Sequence, residues 1–193
     1  MKRSIGVAVA VALSMGMITS ASASTPKLSS ELLSVGQMPT GWSIDNSSSG
    51  GGVGCLANIL EPKGIKQTSY ASIELDDGGN TPLVTEKLSM YSNATTAFKK
   101  IVATLSACKH VSGTSGGVKG TGTVGQMSFP HYGTTSAAFA VSLLIQGTTL
   151  GADLLIVRKG NVVMGIEEVD LPPVDVIQFQ GFVVKALVKV RTQ

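Results

Sequence analysis

The sequence predicts an α+β fold: an antiparallel β-sheet meander with two main helices packed on one face and one disulfide. Three observations lead there. Four β-rich runs in the second half, residues 123–129, 136–146, 152–158 and 162–169, are joined by short turn-like separators, the pattern of strands that return antiparallel to one another. Two stretches, one central and one C-terminal, carry a single apolar stripe at helical spacing, so each needs a sheet to bury against. Finally, the chain has 2 cysteines and an export signal, which most economically makes one disulfide, Cys55–Cys108.

The elements follow in chain order. Lys2 and Arg3 precede an apolar run over residues 5–18, and Ser20-Ala21-Ser22-Ala23-Ser24 then supplies small residues for a signal peptidase. This is a secretory signal over residues 1–23, cut after Ala23. Its apolar core is shorter than the roughly 20 residues of a membrane span, so the mature chain, residues 24–193, is expected as a single exported domain with no membrane insertion. No cysteine lies near the cut, which closes the route to a lipid-anchored form. Ser29 or Ser30 is placed to cap a short helix through Glu31, Leu32 and Leu33, and Met38-Pro39-Thr40-Gly41-Trp42 turns the chain. Trp42, the single tryptophan, reads as a core anchor. Residues 47–54 are a Ser/Gly connector. Residues 55–60 allow one or two helical turns, which Pro62 and Gly64 stop.

Residues 66–75 alternate as a strand, Asp76-Asp77-Gly78-Gly79-Asn80 marks a turn, and residues 85–91 form the next strand. In the central helix Ala94, Ala97, Phe98, Ile101, Val102, Leu105 and Cys108 line one stripe, with Ser92 or Asn93 as cap. Residues 112–122, rich in Gly, Ser and Thr, read as a loop. After Pro172 and Pro173 a helix from about Asp175 carries Val176, Phe179, Val183, Leu187 and Val190, with Lys185, Lys189 and Arg191 at the end that favours positive charge. Within the strand over 136–146, Phe139, Val141 and Leu143 are expected to face the helices, and the small residues between them to open to a shallow cleft or to solvent.

Charge excludes some classes of function. Of 15 basic and 12 acidic residues, Lys2 and Arg3 leave with the signal, so 13 − 12 gives a formal +1 for the mature chain. That balance shows neither the basic face of a nucleic-acid binder nor the basic amphipathic helix of a membrane-surface binder.

Motifs with catalytic or metal spacing fail on context. Gly113-Thr114-Ser115-Gly116-Gly117 matches G-x-S-x-G, but a nucleophile elbow needs a strand before its serine and a helix after it. Here a helix precedes and a Gly-rich stretch follows, and no matching histidine motif is present. Asp76 and Asp77 lack the alternating oxygens and the downstream glutamate of a calcium loop. His110 and His131 have no Cys, Asp or Glu at metal-ligand spacing; His110 is placed to cap the central helix and His131 to sit in the turn opened by Pro130. Glu167, Glu168 and Asp170 cluster at a strand end, yet adjacent strand residues alternate between faces, so they read as solvated and not as a general-acid pair. No catalytic residue, cofactor or metal ligand is therefore expected. The reading is a non-enzymatic exported binding domain, with a structural or host-facing interaction protein, or a hydrolase using Ser115, as alternatives.

The ordered features also resemble a family. Leu32-Leu33 with Met38-Pro39-Thr40-Gly41-Trp42, then Cys55, then Ala97-Phe98 ending in Cys108, then Phe129-Pro130-His131-Tyr132-Gly133-Thr134-Thr135-Ser136, then Val157-Arg158-Lys159-Gly160-Asn161-Val162-Val163, resemble the actinobacterial extracellular sensor domains typified by the outer domain of a mycobacterial Ser/Thr kinase, the PknH-like sensor domain. The resemblance runs over roughly residues 28–190. It implies an antiparallel sheet packed by helices, a cleft for an unidentified small molecule or cell-envelope component, and no catalysis. The chain departs from the kinase version in having one cysteine pair instead of two, and neither a kinase domain nor a membrane anchor. Only the Cys55–Cys108 pairing carries over; no ligand-binding residue does.

Overall fold

A computed structural model describes residues 26–46, 54–78, 81–115 and 118–191. The expected secretory signal and cleavage point, most of the Ser/Gly connector over 47–54 and the Gly79-Asn80 end of the predicted turn lie outside the described residues. The elements are α1 (Pro26–Ser29), β1 (Ser43–Ile44), β2 (Gln67–Asp76), β3 (Leu83–Tyr91), α2 (Ala94–Ala107), β4 (His110–Ser115), β5 (Val118–Met127), β6 (Thr135–Ile145), β7 (Thr148–Lys159), β8 (Val162–Asp170) and α3 (Val176–Lys189), with short 3-10 turns at Val35–Gln37 and Gly54–Leu56.

The strands form one sheet in the order β1-β2-β3-β8-β7-β6-β5-β4, antiparallel throughout. Two meanders, β1 to β3 and β4 to β8, meet where β3 pairs with β8, with Val84 opposite Glu168 and Leu88 opposite Met164. α2 is the connection that carries the chain from β3, in the middle of the sheet, to β4 at its edge.

The α+β class, the antiparallel sheet, the two helices and the disulfide are those expected from sequence, but the helices lie on opposite faces of the sheet. Leu154 and Ile156 of β7 share a core with Phe98, Ile101 and Leu105 of α2. Leu155 and Val157, one residue out of step, share a second core with Phe179, Phe182 and Val183 of α3. Successive strand side chains point to opposite faces, so the central strands are covered on both sides. Their uninterrupted apolar runs, Leu154-Leu155-Ile156-Val157 and Val162-Val163-Met164, are the composition such burial requires. With helices on a single face, half of those side chains would remain in water, at a cost of about 1.5–3 kcal/mol each.

The helix stripes are mostly as read. In α2, Ala94, Ala97, Phe98, Ile101 and Leu105 are buried, and Asn93 is the cap, its side chain accepting from the Thr96 amide at 3.0 Å. In α3 the stripe is rotated: Phe179, Phe182, Val183 and Ala186 are buried, Val176 is exposed, and Asp175 caps through the Ile177 and Gln178 amides. Its outer face is not wholly polar, since Ile177, Val184 and Val188 are exposed beside Lys185.

Two local expectations change. The short N-terminal helix ends at Ser29 instead of starting there, and Ser34 opens the following 3-10 turn, its amide donating to the Gln37 side chain at 3.1 Å. The described residues of the Gly-rich stretch over 112–122 are paired strand, not a loop: His110 pairs with Thr123 and Gly113 with Gly120. Its glycines suit strands because a Cβ at Gly120 would stand 3.2 Å from Ile145, and one at Gly122 would collide with Leu143 and the Ser142 carbonyl. The missing side chains leave room for bulky neighbours on β6.

Cys55 and Cys108 are bonded, with Cα atoms 5.9 Å apart. Cys108 is the C-cap of α2, so the bridge pins the Gly54–Leu56 turn to the end of that helix. Among the described residues no helix is long and apolar enough to cross a membrane.

Candidate functional site

On β6 the two faces differ as alternation predicts. Phe139, Val141, Leu143 and Ile145 are buried in the core under α2, whereas Ala140, Ser142 and Leu144 on the α3 side are exposed. α3 and the N-terminal segment cover the β2-β3-β8-β7 part of that side and reach the Met127–Ala138 end of β5 and β6. The remainder, the β4-β5-β6 end of the sheet, is open, and Gly125, Ala140 and Ser142 floor the strip of it that borders the covered part. At one end Phe129 bounds it, its ring centroid 5.4 Å from Phe179 and 6.0 Å from Tyr132. Along one side runs the segment leading into α3, where Val174 packs so closely over Gly151 that a Cβ there would stand 2.9 Å from it. A Cβ on Gly125 would meet nothing.

The strip ends on carboxyl groups. One row of directly paired residues crosses the sheet: Gly125, Ala140, Asp153, Glu168, Val84, Leu75. Ala140 is exposed, Asp153 is 6 % exposed and Glu168 fully buried. Glu168 Oε1 accepts from Gln178 Nε2 at 3.0 Å, while Glu168 Oε2 and Asp153 Oδ2 are buried with no hydrogen-bond partner. Burial pushes the Glu168 carboxyl up to about 8, and the neighbouring Asp170, Asp175 and Asp153 add to the rise. Burial raises Asp153 as well. Two carboxyls side by side away from water resist ionising together.

Two other buried carboxyls, Glu86 and Glu167, each feel an internal cation. Glu86 accepts from the Leu33 amide at 2.5 Å; burial raises it to about 7, against the opposing pull of Lys189. On the α2 side, burial raises Glu167, and Lys87 and Glu74 act on it with opposite signs. The same burial lowers Lys87 in turn. Tyr91 closes that cluster, its hydroxyl donating to the Leu60 carbonyl. In neither grouping does the cation outweigh burial, since Glu167 stands at about 8 and Glu86 Oε1 is also buried without a hydrogen-bond partner, but each grouping contains a cation.

Glu167 and Glu168 are thus not solvated. They do alternate between faces as expected, but both faces are covered, so each is buried on its own side; Asp170 is half-buried and accepts from the Leu171 amide at 2.6 Å. His110 is an exposed first residue of β4, and the α2 cap is instead the Cys108 amide, donating to the Leu105 and Thr104 carbonyls. His131 is exposed after Pro130. Asp76 ends β2, accepting from Ser43 Oγ at 2.9 Å and the Gly78 amide at 3.2 Å; Asp77 is exposed. Ser115 closes β4, and the chain returns as β5. The strand–helix setting of a nucleophile elbow is therefore absent around it, although a strand, not a helix, leads in.

Sequence reasoning located the open face through Ala140 and Ser142 but missed Asp153 and Glu168. The available signal was an acidic residue flanked by apolar ones in a continuous strand run, Ala152-Asp153-Leu154, since such a run is buried on both faces.

No family model and no curated protein matches the sequence. Among solved structures the chain is similar to the extracellular domain of PknH from Mycobacterium tuberculosis, with a TM-score of 0.63 over 82% of this chain and 92% of that one, at 11% identity. At that identity the likeness is one of fold, and it agrees with the architecture that the resemblance in sequence implies.

Proposed function

We propose that the protein is an exported, non-catalytic ligand-binding domain of sensor type in the bacterial cell envelope, taking a small molecule or envelope component on the open strip of the sheet. The observation that carries this reading is the strip itself. On the α3 side the β4-β5-β6 end of the sheet is uncovered, and Gly125, Ala140 and Ser142 lie bare where it borders the covered part, with unpaired carboxyl oxygens at the inner end. Small side chains there leave room, and sequestered polar groups give a ligand its orientation. The secretory signal and the disulfide support an exported location. The fold, shared with an extracellular domain, supports the sensor-like role, and the mature chain's near-neutral charge supports a partner other than nucleic acid.

The test is native mass spectrometry of the mature protein recovered from its own envelope fraction. A bound small molecule is expected in the wild type and not in Ala140→Trp, which fills the strip from an exposed position. The same mass on both proteins rules out the strip as the site. Ester or peptide hydrolysis by wild type that Ser115→Ala abolishes overturns the non-catalytic reading.

A further inference from the structure

Each buried carboxyl grouping raises the question of what balances its charge. Lys189 acts on Glu86, and Lys87 on Glu167. Among the described residues, the charged groups acting on Glu168 are acidic: Asp170 and Asp153 from the sheet, Asp175 from the start of α3. A cluster of this kind, withdrawn from water, is costly unless it gains protons or a cation. Asp153 lies between exposed Ala140 and buried Glu168 in one cross-strand row, which makes it the carboxyl of the pair next to the open face, and its Oδ2 is buried without a hydrogen-bond partner.

We propose that the Asp153–Glu168 pair receives the positively charged end of the ligand, so that the strip takes an organic cation, an alkylammonium whose apolar body lies along Ala140 and Gly125. This inference rests on the strip being the ligand site. An ammonium donates three hydrogen bonds, and the pair leaves buried oxygens free for them, Glu168 Oε2 and Asp153 Oδ2. The first turn of α3 supplies no competing cation, and Gln178 holds the other Glu168 oxygen in place. A metal ion fits less well. Hard divalent cations want six or more oxygens, whereas Asp170 and Asp175 spend Oδ1 on backbone amides, and among the described residues no group of three or more His, Cys, Asp or Glu is set to hold a metal. Glycine at 125 and alanine at 140 leave space for an alkyl chain to lie against the sheet.

The test uses the mature full-length protein with n-hexylammonium chloride, neutral n-hexanol, and magnesium and calcium chloride as probes, followed by amide NMR shifts at Gly125, Ala140 and Asp153. Hexylammonium is expected to bind at least about tenfold more tightly than hexanol, a gap of about 1.4 kcal/mol. Its affinity should fall as pH drops through about 8, where protons compete for Glu168. Asp153→Asn should erase the preference for the charged probe while leaving hexanol binding intact. Equal binding of both alkyl probes, an unchanged preference in Asp153→Asn, or magnesium or calcium shifting the same amides and displacing hexylammonium each overturns the proposal. Alkyl probes that bind equally and are both lost in Ala140→Trp overturn only the cation and leave the strip as the site. Alkyl binding untouched by Ala140→Trp removes the strip as well.

Discussion

At the scale of single residues the two sides of β6 make opposite predictions. Phe139 is fully buried beneath α2, whereas Ser142, three positions on, is exposed on the strip. Truncating a buried aromatic removes transfer energy and leaves a cavity, so Phe139→Ala is expected to cost about 3–5 kcal/mol. Ser142→Ala changes an exposed side chain and should stay within about 0.5 kcal/mol of wild type. Urea unfolding of the two variants measures both; equal midpoints would mean that the faces of β6 are reversed. This contrast was legible in the sequence, since the alternation of bulky with small residues over 136–146 is the signature of one packed and one open face. The place of Trp42 was less so. It is an anchor as expected, but its partner is Phe182 of α3, the rings 5.2 Å apart and edge-on, a contact between positions that sequence spacing does not relate.

At the scale of the element, β8 shows why part of the site stayed hidden. Its strand character and limits were plain, yet a strand read alone does not say how many of its faces are covered. The two acidic residues near its end looked solvated by composition; between α2 and α3 they are not. That burial has a consequence for pH. The carboxyls of Glu86 and Glu168 are raised by burial to about 7 and about 8, above their value in the unfolded chain, so between roughly pH 4.5 and pH 8 the folded state holds protons that the unfolded state has released. Stability from these groups is therefore fully present below the unfolded carboxyl range and is lost as pH rises through 7 and 8. Lys87, lowered to about 8, acts oppositely but only above that point, where the unfolded lysine still holds its proton. The expected outcome is a urea midpoint that falls from pH 5 to pH 8 without ligand, and a smaller fall in Glu168→Gln, which keeps a neutral side chain at all of these values. A midpoint rising over that interval, or an unchanged slope in Glu168→Gln, would show that the carboxyl is ionised when folded.

At the scale of the whole molecule, the two ends of the described chain are fastened to each other on the α3 side of the sheet. The Arg191 amide donates to Glu31 Oε2 at 3.2 Å, Lys185 Nζ to the Gln37 carbonyl at 2.7 Å, and Lys189 Nζ to the Leu32 carbonyl. Lys159, at the end of β7, is the hinge of this arrangement: its Nζ donates to the carbonyls of Leu187 at 2.9 Å and Val190 at 2.5 Å. These belong to the last turn of α3, where carbonyls lack helical partners and the helix dipole favours a cation. A half-buried ammonium is held there because it satisfies two acceptors at once. Lys159→Met keeps most of the apolar stem and removes both bonds, at an expected cost of about 1.5–3 kcal/mol for hydrogen bonds to a charged group. Since Leu32, Leu33 and Met38 share one core with Phe182, Ala186 and Val190, loosening the end of α3 also removes cover from the N-terminal segment. Hydrogen exchange in Lys159→Met should therefore quicken at residues 31–38 together with residues 186–190, while α2, on the other face, keeps its protection. Faster exchange confined to α3 would show that the two ends open independently and that the core beneath them is not one unit.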